Sequence, residues 1–379
     1  MKLLFALSAG NPIDCCDKFI DNFLGWLIAS VQLKVDIKNG AGAAADLFIN
    51  DSVPKPIPSP TQCLVRVKAF GINRADTIQR SGFYPPPPGA SKILGLEFSG
   101  VIEAVGSDQA STGTQWKVGD EVFGLVYGGA YAEYVEVEMK LLIAKPADWS
   151  WEYAAGLCEI WFTALQALYV VGGYNADTTR SILWHAGASS VSIAGIQLSR
   201  LANSLRSDIP APKVFATARS DEKSNFCVQE LSCVGAVNTN THNKDWDEEI
   251  KKMNGGQGVD LIIDYVGPTY FQQNLNVAAR DGRIVLLGLL AGSILPDGVD
   301  IRPVLMKRLK FEGSTLRSRD VNYQARVREL FEEKVFRGLK TGLFKHVVDS
   351  VFKWEDIQKA HELVESNKTK GKVICTIDW

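Results

Sequence analysis

The 379-residue chain is 46% hydrophobic and 22% charged, the proportions of a globular protein, and it exceeds one ordinary core, so two domains are expected. Its 41 Lys and Arg against 43 Asp and Glu leave a net charge of -2, too balanced for a polyanion-binding surface, which argues against nucleic acid as the main partner. Seven cysteines (Cys15, Cys16, Cys63, Cys158, Cys227, Cys233, Cys375) lack paired spacing, and no uninterrupted apolar run of about 18 residues occurs, so a reduced, cytoplasmic protein without a membrane span is expected.

The opening "MKLLFALSAG" is similar to half a secretory signal, but Asp14, Asp17 and Asp21 follow at once and no cleavage site closes the run. "KFIDNFLGWLIASVQL" reads as an amphipathic helix with Phe19, Phe23, Trp26 and Leu27 on one side, and residues 1–33 as an extension for packing or a partner. Short β-rich runs follow from Leu33: "LKVDIK", "CLVRVKAF", "GVIEAVG", "DEVFGL" and "AYAEYVEV", a strand-rich, partly closed barrel. "PKPIPSP" cannot sit inside a ladder and is a connector, and "YPPPPGAS" is a stiff loop.

After Trp151 helix and strand alternate. "WEYAAGLCEIWFTALQALYVV" is helical, "SILWHAG" is a strand and tight turn, "VSIAGIQLSRLANSL" is helical, and "KVFATARS", "VDLIIDYVG" and "GRIVLLGLL" are buried strands. Such alternation requires right-handed crossovers and a parallel sheet, hence an α/β fold. Beyond Lys310, "ARVRELFEEKVFRGLK" and "KVICTIDW" return to α+β character. The expected order is an extension (1–33), a catalytic domain (34–157 and 310–379) and an inserted nucleotide-binding domain (158–309).

In "HAGASSVSIAGIQL" a strand runs through small residues into a helix, so backbone amides and the positive helix end converge where a pyrophosphate would fit. Gly187 is expected to permit the turn, with Ser189, Ser190 and Val191 at the helix start. Ser190 and Ser192 stand where glycines are usual and are expected to weaken or rearrange binding. The same small residues also suit plain close packing. Past the second strand, Arg219, Ser220 and Lys223 favour a 2′-phosphate and therefore NADPH, whereas Asp221 keeps NADH open and Ser220 equally suits a helix cap.

"FGINRADTIQRSGFYPPPPGAS", "LGLEFSGVIEAVG", "WKVGDEVFGL", "GGAYAEY", "HAGASSVSIAGIQL", "GVDLIIDYVG", "LRSRD" and "NKTKGKV" occur in that order. From about Lys34 onward the chain resembles the zeta-crystallin-like quinone oxidoreductases of the medium-chain dehydrogenase/reductase superfamily, in particular the p53-inducible type. The resemblance implies a GroES-like β-rich catalytic domain plus a Rossmann doubly wound parallel-sheet domain, a homodimer, and NADPH-dependent reduction of a quinone or other conjugated carbonyl. It implies catalytic roles for Asn73 and Tyr84, and cofactor contacts at Thr163, Val266, Gly267, Gly288, Leu289 and Lys368. Scaffold roles suit several of these equally: a turn at Asn73, a brace for the proline loop at Tyr84, packing at Gly288. The chain departs from the pattern in "VNTNTHNKDW", which lacks a tyrosine against the adenine; His242 is the candidate substitute.

No metal is expected. Leu96 in "GLEFSG" stands where zinc-binding relatives carry histidine, and no cysteine cluster exists. Polarisation of the carbonyl would then fall to Tyr84 and the Asn73 amide. Two alternatives remain: a non-catalytic dinucleotide-binding or structural protein with a degraded glycine motif, and a pathway-specific enoyl reductase.

Overall fold

The computed structural model describes residues 31–202 and 208–379. The amphipathic helix expected around Phe19 to Leu27 lies outside the described residues. β1 (Val31–Ile37) pairs antiparallel with β2 (Leu47–Pro54), and Val35 N–H donates to Tyr131 O at 2.8 Å, tying the hairpin to the rest of the domain. Residues 31–33, expected within the extension, are therefore already strand.

β3 (Gln62–Ile72) leads into α1 (Arg74–Arg80), followed by β4 (Glu97–Val105), β5 (Glu121–Leu125), β6 (Tyr134–Glu138) and β7 (Leu142–Ala144). The largely apolar β3 is mostly buried because it is central: it pairs with β4, with β6 and with a strand from the far end of the chain. α2 (Trp151–Ala155) and α3 (Cys158–Leu165) come next, and a π-helical turn over Gln166–Val171 prolongs α3. The run Trp151–Val171, interrupted by Glu152 and Glu159, is long and apolar enough by length and composition to cross a membrane, but it is mostly buried as a core element.

β8 (Ser181–Trp184), α4 (Ser190–Leu201), β9 (Lys213–Ala218), α5 (Asp221–Gln229), β10 (Gly235–Asn238), α6 (Trp246–Met253), β11 (Val259–Asp264), α7 (Phe271–Val277), β12 (Ala278–Leu286), α8 (Arg302–Met306) and β13 (Lys310–Gly313) build the second unit. Its sheet is parallel throughout, in the order β10-β9-β8-β11-β12-β13. This is the doubly wound arrangement, and strand order reverses between β8 and β11, where ligands bind outside the strand ends. The sheet continues past the expected limit at 309, because β13 is its sixth strand and one of its edges.

α9 (Val321–Phe331) packs Phe331 into a core shared with Trp161 and Trp184. β14 (Val348–Lys353), α10 (Ile357–Glu365) and β15 (Lys372–Thr376) complete the first unit, whose seven-stranded sheet runs β14-β15-β3-β4-β5-β7 with β6 on β3.

Candidate functional site

The nucleotide-facing end of the parallel sheet is held from beneath by His185. Its Nε2–H donates to Asn274 Oδ1 at 2.7 Å, and its Nδ1 accepts from Thr217 Oγ1 at 2.8 Å. Asn274 Nδ2 donates onward to Asp264, whose other carboxylate oxygen accepts from Val266 N–H at 2.7 Å. Burial lowers the His185 pKa and keeps the ring neutral, as this donor and acceptor pattern requires. The buried network thus fixes the turns after β8, β9 and β11 together.

The turn after β8 differs from expectation. Ala186, at φ 47°, takes the left-handed conformation. Gly187 instead permits close approach: a Cβ there would lie 2.7 Å from both the Ala216 Cβ and the Cys227 sulfur. Gly195, which sequence reading passed over, lets α4 lie on β8, since its Cβ would meet the Trp184 ring at 2.1 Å. Ser189 caps α4, accepting from Ser192 N–H. Ser192 is fully buried, and its Oγ donates to His185 O at 2.8 Å. It therefore points behind the turn and not into the phosphate approach, which corrects the expectation that it obstructs. Ser190 and Val191 remain partly open at the helix start, where first-turn amides lack intrahelical partners.

Val266, Gly267, Gly288 and Leu289 form one rim. Ala291 N–H donates to Val266 O at 3.0 Å, and Gly267, at φ 84°, lies so near Leu289 that a Cβ would stand 3.0 Å from its Cδ2.

The cations expected to grip a 2′-phosphate surround residues 366–371. Lys223 Nζ donates to Asn367 O at 2.7 Å and Thr369 O at 2.9 Å, so two of its three donors already hold that loop. Ser220 caps α5, and Asp221 accepts from Asn238. Arg219 and Lys368 are exposed. Arg74, missed in the sequence, donates through Nη2 to Val364 O and Asn367 Oδ1 at 2.6 and 2.7 Å. Burial and the nearby Arg219 lower its pKa, whereas Glu365 opposes the shift. His242 faces Asp245 on the surface, its Nδ1 3.3 Å from a carboxylate oxygen.

In the first unit, Asn73 caps α1, and its N–H donates to Asp76 Oδ2 at 2.7 Å. Its amide is also committed: Nδ2 donates to Glu97 at 3.0 Å, and Oδ1 accepts from Lys372 at 2.5 Å. Lys372 and Glu97 form an ion pair with side-chain exposures of 1% and 0%. A Cβ on Gly71 would lie 2.6 Å from Glu97 Oε1, and one on Gly156 would lie 2.8 Å from Lys372 Cγ, so both glycines make room for the pair. The structure therefore makes Asn73 an organiser of this knot; it is not a free donor to a substrate. Glu97 follows Leu96 in "GLEFSG", and nothing local in the sequence marks it as the partner of Lys372.

Asp76 is buried, which raises its pKa to about 6 against the pull of Asn73 N–H, Lys372, Tyr131 OH and Gly95 N–H. From it a polar chain runs outward. Tyr131 OH donates to Asp76 at 3.1 Å, the His361 Nε2 lies 3.2 Å from that hydroxyl, and Arg80 Nη1 lies 3.0 Å from His361 Nδ1.

Glu97 Oε2 accepts from Glu159 N–H at 2.9 Å, which fastens the start of α3 to the Asn73 knot. Thr163 lies one turn further along α3, and both Glu159 and Thr163 are partly open while Ile160, Trp161 and Phe162 are buried. Tyr84 is half-buried, with the Arg317 guanidinium 5.5 Å from its ring centre. Burial and Glu159 raise the Tyr84 pKa, with Arg317 pulling against them. Arg317 belongs to the "LRSRD" stretch; its Nε donates to Tyr127 O and its Nη1 to Gln79 Oε1, both at 2.7 Å. Asn73, Tyr84 and Thr163 are thus linked through Glu97, Glu159 and Arg317, none of which was singled out from the sequence.

These residues do not form a zinc ligand set. Leu96 is buried and has no donor atom, and burial raises the Cys158 thiol pKa well above its usual value. Among the described residues, the grouping compact enough for an ion is His242, Asp245 and Glu249, which lies after β10 and apart from the Asn73 knot.

Residues 204–334 match the zinc-binding dehydrogenase family, and residues 59–147 match the alcohol dehydrogenase GroES-like domain. The quinone oxidoreductase of Lama guanicoe is 29% identical over 340 residues, 89% of this chain and 95% of its own. Escherichia coli quinone oxidoreductase, solved in complex with NADPH, has a TM-score of 0.75 at 25% identity, covering 91% of this chain and 99% of that one. The CurK enoyl reductase has a TM-score of 0.75 at 26% identity, covering 92% of this chain and 99% of that one.

Proposed function

This chain belongs to the medium-chain dehydrogenase/reductase superfamily, and from that premise we propose that it is an NADPH-dependent, zinc-independent reductase of quinones or other conjugated carbonyls. The observation that carries the reading is that two adjacent residues join the two groups: Gly371 bridges to Ser189 at the α4 turn, and Lys372 pairs with Glu97 and Asn73 in the knot that also holds the start of α3, with its partly open Glu159 and Thr163. When bound, NADPH supplies a hydride from its nicotinamide ring.

In this reading the Ser189–Ser190–Val191 helix start and Gly187 receive the pyrophosphate, and Arg219 with Lys368 and the remaining Lys223 donor receives the 2′-phosphate. Val266, Gly267, Gly288, Leu289 and Thr163 border the nicotinamide. Tyr84 polarises the acceptor oxygen, while Asn73 orients the knot that sets α3. The small-molecule substrate is a quinone or enone, and the resemblance to an enoyl reductase keeps pathway enones in the same class.

A homodimer is part of the proposal. The edge strand β13 and the exposed Ile301, Leu305 and Met306 on and beside α8 offer an unpaired strand and an apolar face to a second copy. A cytoplasmic location accords with the buried free thiols of Cys63, Cys158, Cys227, Cys233 and Cys375.

The test is NADPH oxidation with a panel of ortho- and para-quinones and enones, alongside NADPH fluorescence titration. Turnover with saturable micromolar binding is expected. Folded protein that binds no NADPH would favour the non-catalytic reading instead. Tyr84→Phe is expected to slow turnover by less than the roughly 10²–10³-fold typical of an oxyanion donor, because a quinone is already electrophilic.

A further inference from the structure

We propose that Glu159 is the proton donor of the reduction, an inference that rests on the reductase reading above. Of the three carboxyls grouped here, those of Glu97 and Asp76 are engaged in hydrogen bonds, whereas that of Glu159 makes none among the described residues. Lys372, the cation it would pair with, is already held by Glu97 and Asn73. Arg317, the next, is held by Gln79 and the Tyr127 carbonyl. The backbone of Glu159 is fixed by its N–H bond to Glu97, so the side chain leaves the first turn of α3 on the same partly open face as Thr163.

The groups acting on it come from every element around it. Glu97 on β4 and Asp76 on α1 oppose its ionisation, Lys372 on β15 and Arg317 in the 314–319 loop favour it, and Tyr84 in the proline loop and Cys158 on its own helix couple to it. Burial is the largest influence and Glu97 the next, and together they raise its pKa to about 8, so the carboxyl carries its proton at neutral pH.

The chemistry balances without a further reactant. Hydride addition leaves the acceptor with two more electrons, as an enolate or a hydroquinone monoanion. The O–H bond of Glu159 breaks, its proton goes to that oxygen, and the carboxylate takes a proton back from water at its open side. Arg317, although its Nε and Nη1 are engaged elsewhere, favours the carboxylate through its charge at that moment. Tyr84 keeps its hydrogen-bonding role, and Glu159 supplies what the committed Asn73 amide cannot.

The test has two arms. In the first, the carboxylic acid C=O band of the coenzyme-free protein is titrated by difference infrared spectroscopy, with Glu159→Gln as reference. A band that disappears near pH 8 in the parent and is missing in the variant is expected; a parent without a protonated carboxyl at pH 7 overturns the proposal. In the second, kcat against pH is measured with a quinone for the parent, Glu159→Gln and Glu159→Asp, each checked for NADPH binding. The parent should lose kcat above about pH 8, and Glu159→Gln should fall on the order of 10²-fold and lose that limb, with partial rescue in Glu159→Asp. A Gln variant that binds NADPH and keeps both kcat and the limb overturns the donor role while the reductase reading stands. An intact infrared titration with no turnover of any acceptor overturns the reductase reading, and the donor role falls with it.

Discussion

Lys372 and Glu97 form an ion pair sealed from water, and Asn73 bonds to both partners at once. Charges so enclosed stabilise only as a pair, because removing one leaves the other desolvated and uncompensated. Replacing Lys372 by Met is therefore expected to destabilise the fold by about 3–5 kcal/mol. The double replacement of Lys372 by Met and Glu97 by Gln should recover part of that loss. Urea unfolding midpoints of the three proteins check both statements, and a single variant within 1 kcal/mol or so of the parent would contradict the first.

His361 is buried and His346 is partly so, and burial holds the pKa of each at about 3. Their folded values lie below the ordinary 6.5, so at these two groups the unfolded chain binds more protons between those limits, and their contribution to stability is lost as pH drops from about 6.5 towards 3. Asp76 and Glu159, whose folded values are raised to about 6 and about 8, act in the opposite sense over part of that range. Denaturant unfolding of the parent and of His361→Gln at pH 7, 6 and 5 therefore reads the histidine contribution as a difference: the variant should lose less stability, or gain more, than the parent as pH drops, on top of an offset from the lost contacts to Tyr131 and Arg80.

Gly195 and Ser192 sit in the same helix turn and predict opposite things about coenzyme affinity. Gly195→Ala drives a methyl into the Trp184 ring and should destabilise by about 1–3 kcal/mol, with weaker NADPH binding as α4 lifts from β8. Ser192→Gly removes a buried bond to the His185 carbonyl and should lower stability by about 1 kcal/mol without tightening NADPH binding. Fluorescence titration with thermal melts separates the two. Tighter binding in Ser192→Gly would restore the view of that serine as an obstruction.

Arg219 and Arg74 stand on one side of the 366–371 loop, one exposed and the other tied to Val364 and Asn367. Arg219→Gln should raise the NADPH Kd by about 10- to 100-fold and leave NADH almost unchanged, the size expected for a charge-assisted bond to phosphate. Arg74→Gln should weaken both coenzymes moderately, because it loosens the loop itself. Equal losses for NADPH and NADH in the Arg219 variant would count against a 2′-phosphate contact.

Periodicity was enough to place most strands and helices, since alternating and buried apolar runs such as "VDLIIDYVG" leave few choices. The sixth parallel strand escaped it because "KFEG" at an exposed edge has too little apolar content to announce itself. The Ser189 turn and the cations after β9 were also visible, being local in sequence. The Asn73 knot was not, because Lys372 lies 299 residues from Asn73 and Arg317 reaches Gln79 from 238 residues away. Nor can local sequence reveal which way a small polar side chain turns: Ser192 and Ser190 look alike in the sequence, yet one is internal and the other partly open.

β15 occupies an inner position between β14 and β3, although it is translated after the whole inserted unit. Synthesis therefore runs in an order that assembly cannot follow: the nucleotide-binding unit has all its strands before the surrounding one does. Nascent chains stalled ahead of Lys372 should give a protease-resistant core from 181 to 313 and cleavable segments on both flanks. Such chains also carry Glu97 without its ammonium, so the same late strand that completes the sheet also supplies the charge that this enclosed carboxylate is paired with.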